Sequence, residues 1–154
     1  MQRSIPSVAA TLTALALAVT PMIVAAAPAS ASTIKSCSDA YQVGSTKVLN
    51  DEHQQPAMSV KQYWSPSCHE NFAYAFVWQS FRTSHPGTWS MTIGEIWVQS
   101  SGVETNPVAN SAVDTRQAEI WSPGFAGGGR CTYAEGALLY GSYETDGKTD
   151  KRCG

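Results

Sequence analysis

The sequence predicts an all-β domain, a small disulfide-stapled sandwich or partly closed barrel that follows an N-terminal signal peptide. Three observations predict it. Short apolar runs alternate along the chain between turn residues, and no stretch keeps the 3.6-residue period of a long amphipathic helix. The stretch Tyr63 to Trp78 holds one run with apolar residues on both sides: Phe72, Tyr74, Phe76 and Trp78 on one, Ala73, Ala75 and Val77 on the other. That pattern suits a central strand covered on two faces. Four cysteines, Cys37, Cys68, Cys131 and Cys153, supply the staples.

The N-terminal segment reads as export machinery rather than fold. Arg3 gives a positive start, Val8 to Val19 is an alanine-rich apolar run, and Ala29-Ser30-Ala31 is a small-x-small cleavage site. Residues 1–31 are therefore expected to be a signal peptide and 32–154 a single secreted β-domain. Pro21 breaks the apolar run short of the roughly 20 residues a membrane span needs, so no stable membrane insertion is expected. Without Arg3, nine Lys and Arg stand against twelve Asp and Glu, a net charge of −3. These charges are interspersed, which excludes the basic stripe of a nucleic-acid binder and the polybasic patch of a membrane-surface protein.

An even number of cysteines in an exported chain implies disulfides, with three possible connectivities. Pairing neighbours in sequence gives Cys37–Cys68 and Cys131–Cys153, the expected bridges. No C-x-x-C or H-x-x-x-H spacing points to a metal.

The elements follow in order. Cys37 to Val43 and Thr46 to Leu49 form a first strand broken at Gly44-Ser45, and the polar Asn50 to Pro56 is a loop. Met58, Val60, Gln62 and Trp64 alternate with Ser59, Lys61 and Tyr63 in a strand that Pro66 ends. The central strand is expected over Asn71 to Phe81, and Arg82 to Gly87 is a turn. Trp89, Met91 and Ile93 share one face of the next strand. The phase then passes to Ile96 and Val98, so a bulge is expected at Gly94. Ser100 to Asn110 reads as a structureless polar loop. Arg116 to Trp121 reads as a strand or the last turns of a helix, the strand favoured by the Ser122-Pro123-Gly124 that follows at once; Gly124 to Gly129 reads as a flexible turn, and Cys131 to Tyr143 as a final strand bent at Gly136 and Gly141. The charged tail after Glu144 is held only through Cys153.

Catalytic patterns are sparse. Cys68 and His69 are adjacent on an extended segment and point apart. His53, His69 and His85 fall in loops or turns, where solvated imidazole is the ordinary state, and no G-x-S-x-G elbow nominates a serine. Gly147-Lys148-Thr149 ends like a phosphate loop, but five residues separate Gly147 from Gly141 where the motif needs four. Glu95 and Glu119 sit among apolar neighbours in expected strands and are the candidates for a glycosidase pair. No catalytic residue, cofactor or metal is assigned.

Five tryptophans remain. Trp78 and Trp89 read as core. Trp64 and Trp121, each just before a Ser-Pro, are the candidates for an exposed, ligand-binding surface.

The placement of Cys37 near the start of the mature chain, Cys68, Cys131 after Trp121-Ser-Pro-Gly124, and the terminal Cys153-Gly154 resembles the spore-associated protein A family of actinobacteria. Val60 to Trp78 (VKQYWSPSCHENFAYAFVW), with its Y-x-S-P-x-C core, is similar to an uncharacterised secreted actinobacterial domain. The resemblance implies an exported, disulfided β-domain with no catalytic motif to carry over. The resulting expectation is a non-enzymatic secreted protein, extracellular or cell-surface associated, that acts at or near the cell or spore surface. Its partner would be a cell-wall or spore-surface polymer. The alternative is a soluble binding module or inhibitor directed at a glycan through Trp64 and Trp121, or at a secreted protease through Ser100 to Asn110. A small extracellular hydrolase using Glu95 or Glu119 is the third reading.

Overall fold

The structure is a computed structural model that describes Ile34 and residues 37–154. The signal peptide expected over 1–31 lies outside the described residues. Nine strands and one helix follow in chain order among them: β1 (Tyr41–Asn50), β2 (Pro56–Ser65), β3 (Glu70–Val77), α1 (Gln79–Ser84), β4 (Trp89–Val98), β5 (Glu104–Thr115), β6 (Glu119–Trp121), β7 (Cys131–Tyr140), β8 (Tyr143–Lys148) and β9 (Arg152–Cys153). They form two antiparallel sheets packed as a sandwich, not a closed barrel. One sheet has the order β1-β2-β3-β6. The other has the order β5-β4-β7-β8, with β9 also paired to β7. Both expected disulfides are present, Cys37–Cys68 and Cys131–Cys153.

Period-two alternation places the core. Met58 and Val60 of β2 and Ala73, Ala75 and Val77 of β3 face Met91 and Ile93 of β4 and Ala134 and Leu138 of β7. Small residues on β3 let the sheets approach closely. A Cβ at Gly136 would lie 2.9 Å from Val60 Cγ2 and 3.1 Å from Ile93 Cδ1. Gly136 is therefore a point of sheet-to-sheet contact and not the expected bend. It pairs in register with Ile93 on one side and Gly147 on the other. Gly141, with φ +56, makes the turn after β7.

Several sequence expectations are corrected. The central strand ends at Val77 and a short helix follows, because Phe81 reaches back into the core from the helical turn that begins at Trp78. Phe81 stacks on His85 at 4.0 Å and meets Trp89 and Tyr140 edge-on. His85 is thus buried, not solvated, and its Nδ1 lies 3.1 Å from the Phe81 carbonyl. This group closes one end of the sandwich. Trp78 is only half-buried beside it, donating its indole N–H to Ser59 Oγ at 2.8 Å.

There is no bulge at Gly94. β4 pairs continuously with β7 from Ser90 to Val98, so Trp89, Met91, Ile93, Glu95 and Trp97 all face inward. The irregularities lie on the partner strand, where β5 has one extra residue opposite Trp89–Met91 and another opposite Glu95–Trp97. The expected loop from Ser100 to Asn110 is mostly this edge strand. Its extra residues fall near Pro107, which has no N–H, and near Asp114, which has φ +47. The tail is not free either, since β8 and β9 add it to the second sheet.

Candidate functional site

Towards the end opposite α1 the inward-facing positions change from apolar to polar. On β2, Met58 and Val60 give way to Gln62 and Trp64; on β4, Ile93 gives way to Glu95; on β7, Ala134 gives way to Thr132. This end is open and holds a cleft of about 520 Å³, within the size range of small-ligand sites. Trp64 and its cross-strand neighbour Tyr41 form one wall. Arg130, Arg152 and Cys153 form the other, with Asn71 and Thr132 between them.

The glycine loop supplies part of the rim. Phe125 is tied to Asn71 by two backbone hydrogen bonds of 2.8 and 2.9 Å, so the loop is pinned and not a flexible turn. Gly127 packs on the Asn71 amide where any Cβ would collide, and a Cβ at Gly128 would touch Trp64 at 3.5 Å. At Gly127 the close approach leaves no room for a side chain unless the Asn71 amide moves, whereas Gly128 makes only an ordinary contact. Arg130, just after the loop, lays its guanidinium over Trp97 at 4.5 Å and over Phe125 at 5.3 Å. Arg152 pairs with Asp150, whose Oδ1 also accepts the backbone N–H of Ser45 at 2.9 Å. These interactions, the backbone hydrogen bond above all, hold the Asp150 carboxyl below its ordinary range.

Behind Thr132 lies a buried polar trio. Gln62 Nε2 donates to Thr132 Oγ1 at 2.5 Å and to Glu95 Oε2 at 3.3 Å. Gln62 and Glu95 are fully buried. The Gln62 oxygen, Oε1, and the second Glu95 oxygen, Oε1, have no hydrogen-bond partner among the described residues. Burial pushes the Glu95 carboxyl up to about 8, and the Gln62 hydrogen bond only partly opposes this. Glu95 is therefore an uncharged acid at neutral pH.

The two tryptophans singled out from sequence are not brought together. Trp64 is half-buried on the cleft wall, its ring edge-on to His69 at 6.4 Å. Trp121 is on the outer face of the first sheet, packed on Tyr74 at 4.5 Å and Tyr63 at 4.9 Å. Glu95 and Glu119 are separated in the same way. Glu119 accepts the Tyr74 hydroxyl on that outer face, which with burial holds the phenol well above its usual range, whereas Glu95 points between the sheets. Two carboxyl groups with a sheet between them cannot flank one glycosidic bond.

Among the described residues, Cys37, Cys68 and Glu70 form the one trio of metal-ligating types close enough to share an ion. Both sulfurs are in the disulfide and have no thiolate to offer. No protein-family model, curated protein or solved structure matches the chain. Sequence reading missed Tyr41, Asn71, Arg130, Thr132 and Arg152. Only Arg130 had a local signal, its position between a glycine run and a cysteine.

Proposed function

We propose that the chain is an exported, non-enzymatic binding module that holds a glycan in this cleft and acts at or near the cell or spore surface. The observation that carries the reading is Trp64 beside Tyr41 on the wall of a cleft that also presents amide and guanidinium groups. Sugar rings offer apolar C–H faces to aromatic rings, while their hydroxyls pair with groups such as those of Asn71 and Arg152. Export is supported by two disulfides, which persist in oxidising compartments. No helix among the described residues is long and apolar enough to cross a membrane. The resemblance to small secreted actinobacterial proteins points the same way.

The test is tryptophan fluorescence during titration with soluble cell-wall fragments. The expected result is a saturable change that Trp64→Ala abolishes and Trp121→Ala leaves intact. No change with any glycan, or an unaltered response in Trp64→Ala, overturns the reading.

A further inference from the structure

A second cavity, of about 500 Å³, opens beside the first. It is lined by Trp97, Gln99, Ser100, Cys131 and Lys151, and Arg130 borders both cavities. The Cys131–Cys153 bridge gives Cys131 to one and Cys153 to the other across a Cα separation of 4.0 Å. The two spaces are thus neighbours on either side of one covalent link, close enough for successive units of a single chain.

The charge around this link is opposite to that of the domain as a whole. Arg130, Lys151 and Arg152 gather here, while residues 32–154 carry a net −3. Arg152 is paired with Asp150. Arg130 and Lys151 take part in no ion pair among the described residues. Arg130 is also pre-positioned: Trp97 and Phe125 hold its guanidinium from the side, and a planar fork fixed in this way can receive a carboxylate or phosphate with little further ordering.

We infer that the two cavities are consecutive subsites for an anionic sugar chain, with Arg130 reading the negative group between them. This rests on the glycan reading of the first cavity. The shared ligand chemistry is a saccharide polymer bearing carboxylate or phosphate at regular intervals. Trp64 takes a ring in the first subsite, and Lys151 serves the second.

The experiment is calorimetric titration of the folded, oxidised domain with galacturonic acid and its dimer and tetramer, with neutral chito-oligosaccharides of the same lengths, and with phosphodiester-linked sugar oligomers. Affinity for the galacturonates is expected to rise by about tenfold or more from monomer to tetramer, which is about 1.4 kcal/mol. It should fall by a similar factor between about 0.02 and 0.5 M salt as screening shortens. Arg130→Ala should lose about tenfold and Arg130→Lys should recover only part, because an ammonium cannot pair bidentately. Lys151→Ala should weaken the tetramer and leave the monomer unchanged. Tight binding of the phosphate oligomers alone, with the same length and salt dependence, upholds the inference and assigns phosphate as the charge. Equal affinity for neutral and acidic oligomers, or affinity independent of length, overturns it while a silent Trp64→Ala remains the separate failure of the glycan reading.

Discussion

Gln62 on β2 and Thr132 on β7 touch across the sandwich, the Gln62 amide donating to the threonine hydroxyl at 2.5 Å. This contact lies where the apolar interior stops and the cleft starts. It ties the two sheets together at the level where hydrophobic packing no longer does so. It also orients the amide that meets the buried Glu95.

Glu95 should make stability fall with rising pH. The carboxyl stays protonated to about pH 8 in the folded chain, against an ordinary value of 4.5 when unfolded. Between these values the folded chain binds the extra proton. The contribution is fully present below the unfolded value and declines by about 1.4 kcal/mol per pH unit until it levels off above the folded one. Urea denaturation from pH 5 to 9 should show this slope, and Glu95→Gln should flatten it. An identical slope in the variant would remove Glu95 as its source.

Thr132→Val keeps the shape but removes the acceptor. A loss of about 1–2 kcal/mol is expected, since the Gln62 amide then keeps only its longer bond to Glu95. Chemical denaturation measures it. A variant as stable as the parent would mean that the contact does not join the sheets energetically.

Gly136→Ala should cost about 1–3 kcal/mol, because the added methyl meets Val60 and Ile93 inside ordinary contact distance. Val60→Ala in the same chain should recover part of the loss, which thermal melts of the single and double variants can read. Additive losses would contradict the close approach.

The two disulfides should differ in what they protect. Replacing Cys131 and Cys153 together by serine should remove about 3 kcal/mol, from a bridge spanning 22 residues, and should also release β9 with Arg152 from the cleft wall. Glycan affinity should fall with it. Replacing Cys37 and Cys68 should cost comparable stability, with residual binding in the molecules that remain folded, since neither cysteine lines the cleft. Denaturation and titration of both pairs test this, and equal effects on binding would refute the distinction.

What was legible in the sequence was local. Alternation in Met58–Trp64 and Asn71–Val77 is a property of neighbouring residues, and it gave the faces of β2 and β3 correctly. The disulfides paired as expected, each between cysteines that are neighbours in the order of cysteines. What escaped was decided by partners far along the chain. β5 mixes polar and apolar residues without a clean alternation and becomes a strand because β4 offers it a ladder of hydrogen bonds. The β8–β9 tail is charged and becomes ordered through β7. Trp64 was found because an aromatic before a Ser-Pro is conspicuous. Its companions in the cleft come from β1, β3, β7 and β9, and no local pattern links them.

That dispersal has a consequence for the order of assembly. The cleft joins Tyr41 to Arg152, and Asp150 is bound to Ser45 in the irregular stretch of β1 between Val43 and Lys47. Contacts of such wide sequence separation are slow to form, because a long loop must close before they are rewarded. During synthesis β1 to β4 are made before β7, which supplies Ala134 and Leu138 to the interior, and before β9, which supplies Arg152 to the cleft. The cleft is complete only once β9 lies on β7, so the proposed glycan site would be the last part of the fold to be completed.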